Sequence, residues 1–183
     1  LTSQSGRARV TDSPSAKKHD DFGSQPLNLR AERTRVHLRP GDDDQAYAVS
    51  QIFTSGNVLL TQNSDDGKSR DLEMTGTTVS VVNSGAGDEV LHVEGQPAQI
   101  RRQQMVLEGG NITVDRGQNR SIVDGPGRLL LPVKNGLDGK RSPRPGRLEV
   151  RWQEQMDFDG QLARFFGQVQ AHQQHDIMRC QEM

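Results

Sequence analysis

The chain has 183 residues, with 23 lysines and arginines against 24 acidic residues and a formal net charge of −1. This near-neutral balance argues against a general binder of nucleic acids or other polyanions, because such proteins are basic overall. The length suits one domain. With only 31% hydrophobic residues, 19 glycines, one Trp and one Tyr, the composition favours many short strands and turns around a thin core over a thick helical bundle.

The sequence contains no recognisable targeting or membrane-spanning segment. No apolar run approaches the roughly 18 to 20 residues that a transmembrane helix needs, and no signal peptide is present. Because the chain starts at Leu1, we expect it to be a mature or trimmed fragment. The single cysteine, Cys180, excludes an internal disulfide and is compatible with any compartment.

The character of the sequence changes near residue 26, from mainly polar to a regular alternation of apolar and polar residues. Residues 1–26 have only Leu1, Val10 and Phe22 as large apolar residues, which predicts a polar arm or linker. From Leu27 onward, apolar and polar residues alternate with a period of two, as in "LNLRAERTRVHL". This alternation is typical of half-buried strands. We therefore predict one β-domain over 27–183, with a weaker pattern after 133.

Strand patterns and turn formers continue to the end of the chain. Turn-forming stretches such as "NSDDGK", "NSGAGD" and "KNGLDG" separate the strands roughly every ten residues, which predicts an antiparallel all-β protein. The segment "WQEQMDFDGQLARFF" is the best helical candidate, but Gly160 interrupts it. The predicted strands are 27–38, 46–53, 56–62, 72–82, 89–95, 105–115, 121–133, 147–153 and 163–170.

Two of these segments align as a degenerate repeat. "LEMTGTTVSVV" and "MVLEGGNITVD" share one pattern. Apolar residues precede a glycine, Gly76 or Gly109. After two further residues comes a β-branched residue, and a valine follows two positions later. A second strand ending in glycine follows each of the two segments. One such ribbon cannot bury its apolar face alone, so several must stack around a shared interior. Their glycines should lie at bends or bulges of a curved sheet; those closing the second strands are Gly56, Gly95, Gly125 and Gly167.

The pattern "SGNVLLTQ…LEMTGTTVSVV…VLHVEGQPAQI…LEGGNITVD…VDGPGRLLL" resembles the OstA/LptA-like repeats of lipopolysaccharide transport. The resemblance covers about residues 27 to 133 and returns more weakly at 147 to 172. It implies an open antiparallel β-jellyroll, a V-shaped sheet whose inside is a hydrophobic trough for lipid A acyl chains. It also implies edge-to-edge assembly into a bridge across the periplasm. The insert "KNGLDGKRSPRPG" and the Arg-rich N-terminal arm depart from the family pattern.

A ligand trough can also be argued from the residues themselves. The two inner faces of a folded sheet enclose a space that needs filling, and few aromatic side chains are present to fill it. The same residues would equally form a dry core, and the sequence leaves both interpretations open. The inward candidates are Val58, Leu60, Leu72, Met74, Val79, Val81, Leu91, Val93, Ile112, Val114, Leu129 and Leu131.

The segment from Lys134 to Arg147 carries five basic residues against one acid, Asp138. At the mouth of a trough it could contact the phosphates of a glycolipid head group, since arginine pairs with phosphate through two parallel hydrogen bonds. Its Asn-Gly and proline content equally predicts a solvated hairpin loop. The head-group candidates are Lys134, Lys140, Arg141 and Arg144.

Metal binding and catalysis have little support in the sequence. His172, His175, Asp176 and Cys180 form no recognised metal-ligand spacing, and the two histidines would point to opposite faces of a strand, so a frayed C-terminal segment is the simpler interpretation. No nucleophile elbow or phosphate-binding glycine loop occurs. We therefore predict no enzyme activity, no cofactor and no metal.

The sequence thus predicts a non-enzymatic, all-β protein of the periplasm or cell envelope, peripheral to a membrane at most. Its expected ligand is lipopolysaccharide or a similar long-chain amphipathic lipid. Its expected partners are other β-jellyroll envelope proteins, or further copies of itself, which would pair through edge strands. Two alternatives stay open: a structural or adhesion-like β-repeat module with a filled core, and, more distantly, a carbohydrate-active β-solenoid enzyme.

Overall fold

A computed structural model describes residues 27–40, 47–63, 70–83, 88–135, 141–174 and 176–183. The predicted arm, 1–26, lies outside these ranges. The described residues contain strands and turns and no helix, in agreement with the all-β prediction. The strands are β1 (Leu27–Arg30), β2 (Arg33–Pro40), β3 (Tyr47–Asn63), β4 (Arg70–Asn83), β5 (Glu89–Arg102), β6 (Met105–Asp115), β7 (Arg120–Asn135), β8 (Arg141–Trp152), β9 (Gln155–Phe158), β10 (Ala163–Gln173) and β11 (Asp176–Glu182).

All eleven strands belong to one antiparallel sheet. From β3 to β8 each strand pairs with the next one along the chain. At the N-terminal end β1 and β2 lie end to end along β3, and near the C-terminal end β8 and β9 lie end to end between β7 and β10. The sheet is therefore a row of long strands, two of which are interrupted, and among the described residues its two edges do not pair with each other.

The register of the long strands shifts at about the middle of each strand. The β3–β4 ladder is interrupted between Ser55 and Val58, the β5–β6 ladder between Glu94 and Ala98, and the β6–β7 ladder between Gly109 and Asn111. The breaks after β1 and β8 fall at the same level. Because β-bulges bend the strands that carry them, their alignment makes a crease across the sheet, which we call the fold line.

Glycines with left-handed backbone occupy the fold line near both ends of the sheet. Gly56 and Gly167 each have φ of 81°, and the residues after them, Asn57 and Gln168, have φ of 46° and 48°. Glycine adopts this conformation without the steric penalty of a Cβ. A Cβ at Gly56 would also lie 2.5 Å from the Glu32 side chain. Both positions therefore require glycine for conformation and for space.

The core lies on one face of the folded sheet. Val93, Ile112, Val123 and Val169 are completely buried, and they belong to a single cluster that includes residues from both sides of the fold line. One shared cluster is expected when a sheet doubles over on its apolar face. The structure accordingly has the antiparallel folded architecture that the alternating pattern and the repeat predict.

Several details differ from the prediction. The predicted strands 46–53 and 56–62 are one 17-residue strand, β3, because the chain bends at Gly56 without leaving the sheet. The glycines of the repeat lie at bends, as expected, but in the middle of strands and not at their ends. The repeating unit is therefore one long strand with a bend at its centre.

The C-terminal segment was also mispredicted. The sequence indicated frayed chain after β10, whereas 176–182 form β11, paired with β10 from Gln173↔Asp176 to Phe166↔Glu182. Backbone hydrogen bonds in both directions between Phe165 and Met183 continue this pairing. Edge pairing to β10 orders a polar segment that has no strong strand pattern of its own. In the part of the chain that the structure describes, no helix is long and apolar enough to cross a membrane.

Candidate functional site

The inner face of the sheet is built from cross-strand rows of apolar side chains. Residues directly opposite each other in antiparallel strands share one face. On one side of the fold line, Val79 lies opposite Val93, and Val93 lies opposite Ile112. On the other side, Leu60, Met74 and Ile100 form an equivalent row. The two rows give each half of the sheet a continuous apolar lining.

The register brings the twelve trough candidates together on this inner face. Eight are buried, with relative exposures from 0 to 8%: Val58, Leu60, Leu72, Met74, Val79, Leu91, Val93 and Ile112. Four are only half-buried, and these are Val81, Val114, Leu129 and Leu131. The first three of those four pack against the buried cluster. The inner face is therefore closed to water near the fold line and more accessible towards its rims.

Sequence analysis missed about half of the buried inner face. Most of the missed residues lie after residue 133, where the sequence pattern is weaker. In β9 the only sequence signal is one alternating apolar pair, Met156 and Phe158, which is too short to indicate a strand by itself. The missed buried residues are Ala98, Ile100, Leu107, Val123, Val150, Trp152, Met156, Phe165, Val169 and Ala171.

Trp152 occupies the fold line between β7 and β10. Its side chain is 1% exposed, and its indole Nε1 donates a hydrogen bond of 3.0 Å to the backbone carbonyl of Gly125. The ring lies 5.2 Å from the Phe165 ring, centroid to centroid, at a tilt of 46°. A Cβ at Gly127 would overlap the indole. The Trp152 side chain, the largest that is fully buried among the described residues, thus fills the fold line between the end of β8 and the start of β9.

The apolar inner face extends uncovered to the N-terminal edge. Leu29 on β1 lies opposite Leu60, and Val36 on β2 lies opposite Ile52, so both share the face of the core. Nevertheless Leu29 is 40% exposed, Val36 50% and Leu38 58%. Tyr47 and Val49, their neighbours on β3, are also exposed. This end of the sheet presents an apolar surface that the described residues do not cover.

Polar side chains interrupt the lining at a few places. Thr54 is 1% exposed and donates its hydroxyl hydrogen to the Val79 carbonyl at 2.9 Å. Gln173, also buried, donates from Nε2 to the Asn135 carbonyl at 2.8 Å. Satisfied groups of this kind are compatible with an apolar interior. The inner face is therefore uncharged at its centre.

The four head-group candidates do not form the loop that the sequence indicated. Lys134 is exposed within β7, which runs to Asn135, and β8 already begins at Arg141. The backbone of Arg141 and Arg144 is therefore strand, and Asn135 pairs with Arg141. Lys140 lies outside the described residues. The two strands extend further into the basic segment than the sequence predicted, despite its prolines.

The outer face carries ion pairs across the strands. Arg128 on β7 donates two hydrogen bonds of 2.8 Å to the Glu108 carboxylate on β6, and Gln99 on β5 donates a third at 2.7 Å. The Arg128 hydrogen bonds hold the pKa of Glu108 below its usual value, against the opposing effect of partial burial. The same pairing raises the pKa of Arg128. This face is polar where the inner face is apolar, as expected for a sheet with one solvated side.

The residues considered for metal binding are dispersed. His172 lies opposite Ile177, while Cys180 lies opposite the buried Val169, so the two side chains are on different faces of the sheet. His175 is outside the described ranges. Among the residues that the structure describes, no group of three His, Cys, Asp or Glu side chains could hold a metal ion.

Comparison with known proteins gives a structural similarity without a sequence match. No protein-family model and no curated protein matches the sequence. Among solved structures, the fold is similar to that of LptH from Pseudomonas aeruginosa, described as the LptA homologous periplasmic component of the lipopolysaccharide transport device. The TM-score is 0.51 at 18% identity, over 78% of this chain and 83% of that chain. The chain therefore has an LptA-like β-jellyroll fold, and at this identity the similarity concerns the fold alone.

Proposed function

We propose that this protein binds the acyl chains of lipopolysaccharide or a similar amphipathic lipid on its inner face and passes the lipid on without chemical change. The observation that carries the proposal is the continuity of the apolar inner face. It runs from buried residues such as Val93 to the exposed Leu29, Val36 and Leu38 at the N-terminal edge. The LptA-like fold supports the same conclusion.

The accessible parts of the inner face indicate where a lipid would lie. The middle rows are closed to water, so acyl chains would contact the half-buried rim residues Val81, Val114, Leu129 and Leu131. They would reach the deeper rows only if the two halves of the sheet separate. The exposed apolar residues at the N-terminal edge offer an entry or exit point, because the inner face meets the solvent there.

Burial of acyl chains supplies enough free energy for such binding. Each methylene removed from water contributes about 0.8 kcal/mol, and a single long chain gives only weak, reversible attachment to an apolar phase. Association also costs several kcal/mol of translational and rotational freedom. A lipid with several acyl chains is therefore favoured as ligand over a single-chain fatty acid.

The two open edges suggest how the lipid is handed on. A strand at the edge of a sheet has unpaired backbone groups that can receive a strand from another protein. Here β1 and β2 form one edge and β11 the other. We propose that other β-jellyroll envelope proteins, or copies of this chain, pair at these edges and extend the apolar inner face. Such a chain of domains fits the periplasm or cell envelope.

A pair of adjacent valines on β4 provides the test. Val81 faces inward, opposite Leu91, whereas Val82 faces outward, opposite Val90. Aspartate at Val81, or at the inward Val114, places a charge on the proposed binding surface. We expect both changes to weaken saturable binding of purified lipopolysaccharide at least about tenfold, since burying an unpaired charge is costly, while Val82→Asp leaves binding within about twofold.

Lipopolysaccharide binding would be measured by displacement of a fluorescent lipid, and circular dichroism would verify that each variant folds. Equal binding by wild type and by folded Val81→Asp and Val114→Asp protein would refute the assignment. Absence of any saturable lipid binding by the wild type would favour the alternative. That alternative is a structural β-repeat module, and the complete burial of Val93, Ile112 and Val123 is the observation in its favour.

A further inference from the structure

A second concave site lies on the outer face of the sheet. It is a depression of about 490 Å³ over β5, β6, β7 and β8, next to the β5–β6 turn. Its lining includes the arginines Arg101, Arg128 and Arg147 together with the apolar residues Val106, Leu130 and Pro132. Such a volume lies within the range of small-molecule sites.

The register places this depression on the face opposite the proposed lipid surface. Val106 lies opposite Arg101 on β5 and opposite Leu130 on β7, whereas its neighbour Leu107 belongs to the inner core. Pro132 lies opposite Arg147. The short apolar side chains therefore form a floor, and the longer arginine side chains form the walls.

The lining of this depression carries a net positive charge, with three arginines and one acidic residue. Glu108 is the acidic residue in the lining, and its carboxylate already accepts both hydrogen bonds from Arg128. Arg101 donates a hydrogen bond of 3.4 Å to the amide oxygen of Gln99, and its charge contributes to the lowered pKa of Glu108 without a hydrogen bond to that carboxylate. Among the described residues, the guanidinium of Arg147 has neither a hydrogen bond nor an ion pair. Arg101 and Arg147 thus have N–H groups that can donate hydrogen bonds to a bound anion.

We propose that this depression, the outer arginine site, binds a small phosphate-bearing ligand: a sugar phosphate or a phosphorylated sugar head group. Guanidinium groups bind phosphate oxygens through two parallel hydrogen bonds, and two of them match the double charge of a phosphomonoester. The volume exceeds what phosphate alone would fill. The floor of Val106, Leu130 and Pro132 suits the less polar face of a sugar ring.

The outer arginine site is independent of the proposed lipid surface. It lies on the other side of the sheet and shares no residue with the inner rows. It also differs from the head-group candidates predicted from the sequence, because none of those four residues belongs to the lining that the structure describes, whereas Arg147, in the middle of β8, does. A phosphate-bearing ligand would bind here even if the inner face held no lipid.

The site can be tested by isothermal titration calorimetry on the full chain. The probes are glucose 1-phosphate, inorganic phosphate and vesicles containing phosphatidic acid, with glucose and phosphatidylcholine vesicles as neutral counterparts. We expect saturable binding of at least one phosphate-bearing probe, weakened at least about tenfold by Arg101→Gln and by Arg147→Gln, since each removes a charged hydrogen-bond partner. Arg35→Gln, an exposed arginine on β2, is the matched control and should change affinity less than about twofold.

The pattern across probes identifies the source of the phosphate. Tighter binding of glucose 1-phosphate than of inorganic phosphate supports a sugar phosphate, and arginine-dependent binding to phosphatidic acid vesicles alone supports a lipid head group. Two outcomes overturn the proposal: no phosphate-bearing probe binds, or Arg35→Gln weakens binding as much as Arg147→Gln. Val114→Asp should leave phosphate binding unchanged, which separates this site from the lipid surface.

Discussion

The side-chain amide of Asn57 donates a hydrogen bond of 2.8 Å to the carboxylate of Glu32, across the fold line of the sheet. Glu32 lies between β1 and β2, and its backbone N–H also faces the carbonyls of Ser55 and Gly56. Near the other end of the sheet, Glu154 lies between β8 and β9, and its backbone N–H donates to Phe166, next to Gly167. The β1–β2 pair and the β8–β9 pair are thus each interrupted at the fold line, opposite the bulge at Gly56 in β3 and at Gly167 in β10 respectively.

We expect alanine at Gly56 or Gly167 to destabilise the folded sheet. Both glycines have φ of 81°, which an L-residue adopts at a cost, and a Cβ would meet the side chain of Glu32 or Glu154. Left-handed backbone at a non-glycine residue costs on the order of 1–3 kcal/mol. Urea denaturation should therefore show a reduced free energy of unfolding for each variant.

Gly110 provides the matched control for these changes. It is exposed in β6, its φ is not positive, and a Cβ there would meet nothing within 4 Å. Gly110→Ala should change the free energy of unfolding by less than about 0.5 kcal/mol. If all three alanine variants were equally stable, the fold line would not depend on glycine.

Replacement of Trp152 should show how much the crease depends on its side chain. Trp152→Ala removes a fully buried ring and should lower the free energy of unfolding by about 3–5 kcal/mol. Trp152→Phe keeps an aromatic ring against Phe165 but loses the hydrogen bond to Gly125, for an expected loss of about 1–2 kcal/mol. Urea denaturation of both variants would be followed by circular dichroism. Tryptophan fluorescence cannot be used, because Trp152 is the only tryptophan of the chain. Equal losses would mean that the ring volume contributes little.

Charges at the N-terminal edge should weaken edge pairing. Val36 and Leu38 are half exposed on the apolar side of β2, where a partner strand would extend the inner face. We expect Val36→Asp with Leu38→Asp to weaken self-association at least about tenfold in sedimentation velocity. Leu162→Asp, an equally exposed leucine just before β10, is the control and should have little effect. A wild type that stays monomeric at every concentration would contradict pairing between copies of this chain.

The ion pair of Glu108 should make stability depend on pH in the acidic range. Its folded-state pKa is lowered, mainly by the Arg128 hydrogen bonds. A carboxylate with a depressed folded pKa contributes its stabilisation above its unfolded pKa of about 4.3 and loses it as the pH falls through the folded value. Glu108→Gln should therefore be less stable than wild type at neutral pH, by about 1–2 kcal/mol, and the difference should shrink below about pH 4.

Urea denaturation at several pH values checks this expectation. Glu94→Gln is the control, because the Glu94 side chain is exposed and makes no ion pair with the described residues. Its stability difference from wild type should stay small throughout. A Glu108→Gln difference that persisted unchanged down to pH 3 would show that the carboxylate charge is not what stabilises the wild type.

The sequence predicted the sheet best where the alternation was regular. β6 was placed at 105–115 and observed there, because "MVLEGGNITVD" alternates on both sides of its glycines. The strand β11 was missed because "DIMRCQE" has no apolar alternation and is ordered by pairing with β10. β9 was missed because its four residues are too few for a period to be recognised.

The inner face likewise contains residues that the sequence predicted and residues that it missed. Val93 and Ile112 could be assigned inward from period two alone, and both are completely buried. Trp152 and Val169 were not assigned, although both follow the period-two pattern of their strands, because the assignment followed the repeat and the repeat is weak after residue 133. The outer arginine site was also invisible, because Arg101 and Arg147 are 46 residues apart in sequence and meet only across four paired strands.

The sequence by itself determined that this chain forms an antiparallel sheet with one apolar face, because strand periodicity and turn residues are local properties. The tertiary structure decided where that sheet bends, which apolar residues are buried near the fold line, and which stay exposed at the N-terminal edge. Those outcomes depend on the register between strands far apart in the chain. The register, in turn, is set by the packing of both halves on one core.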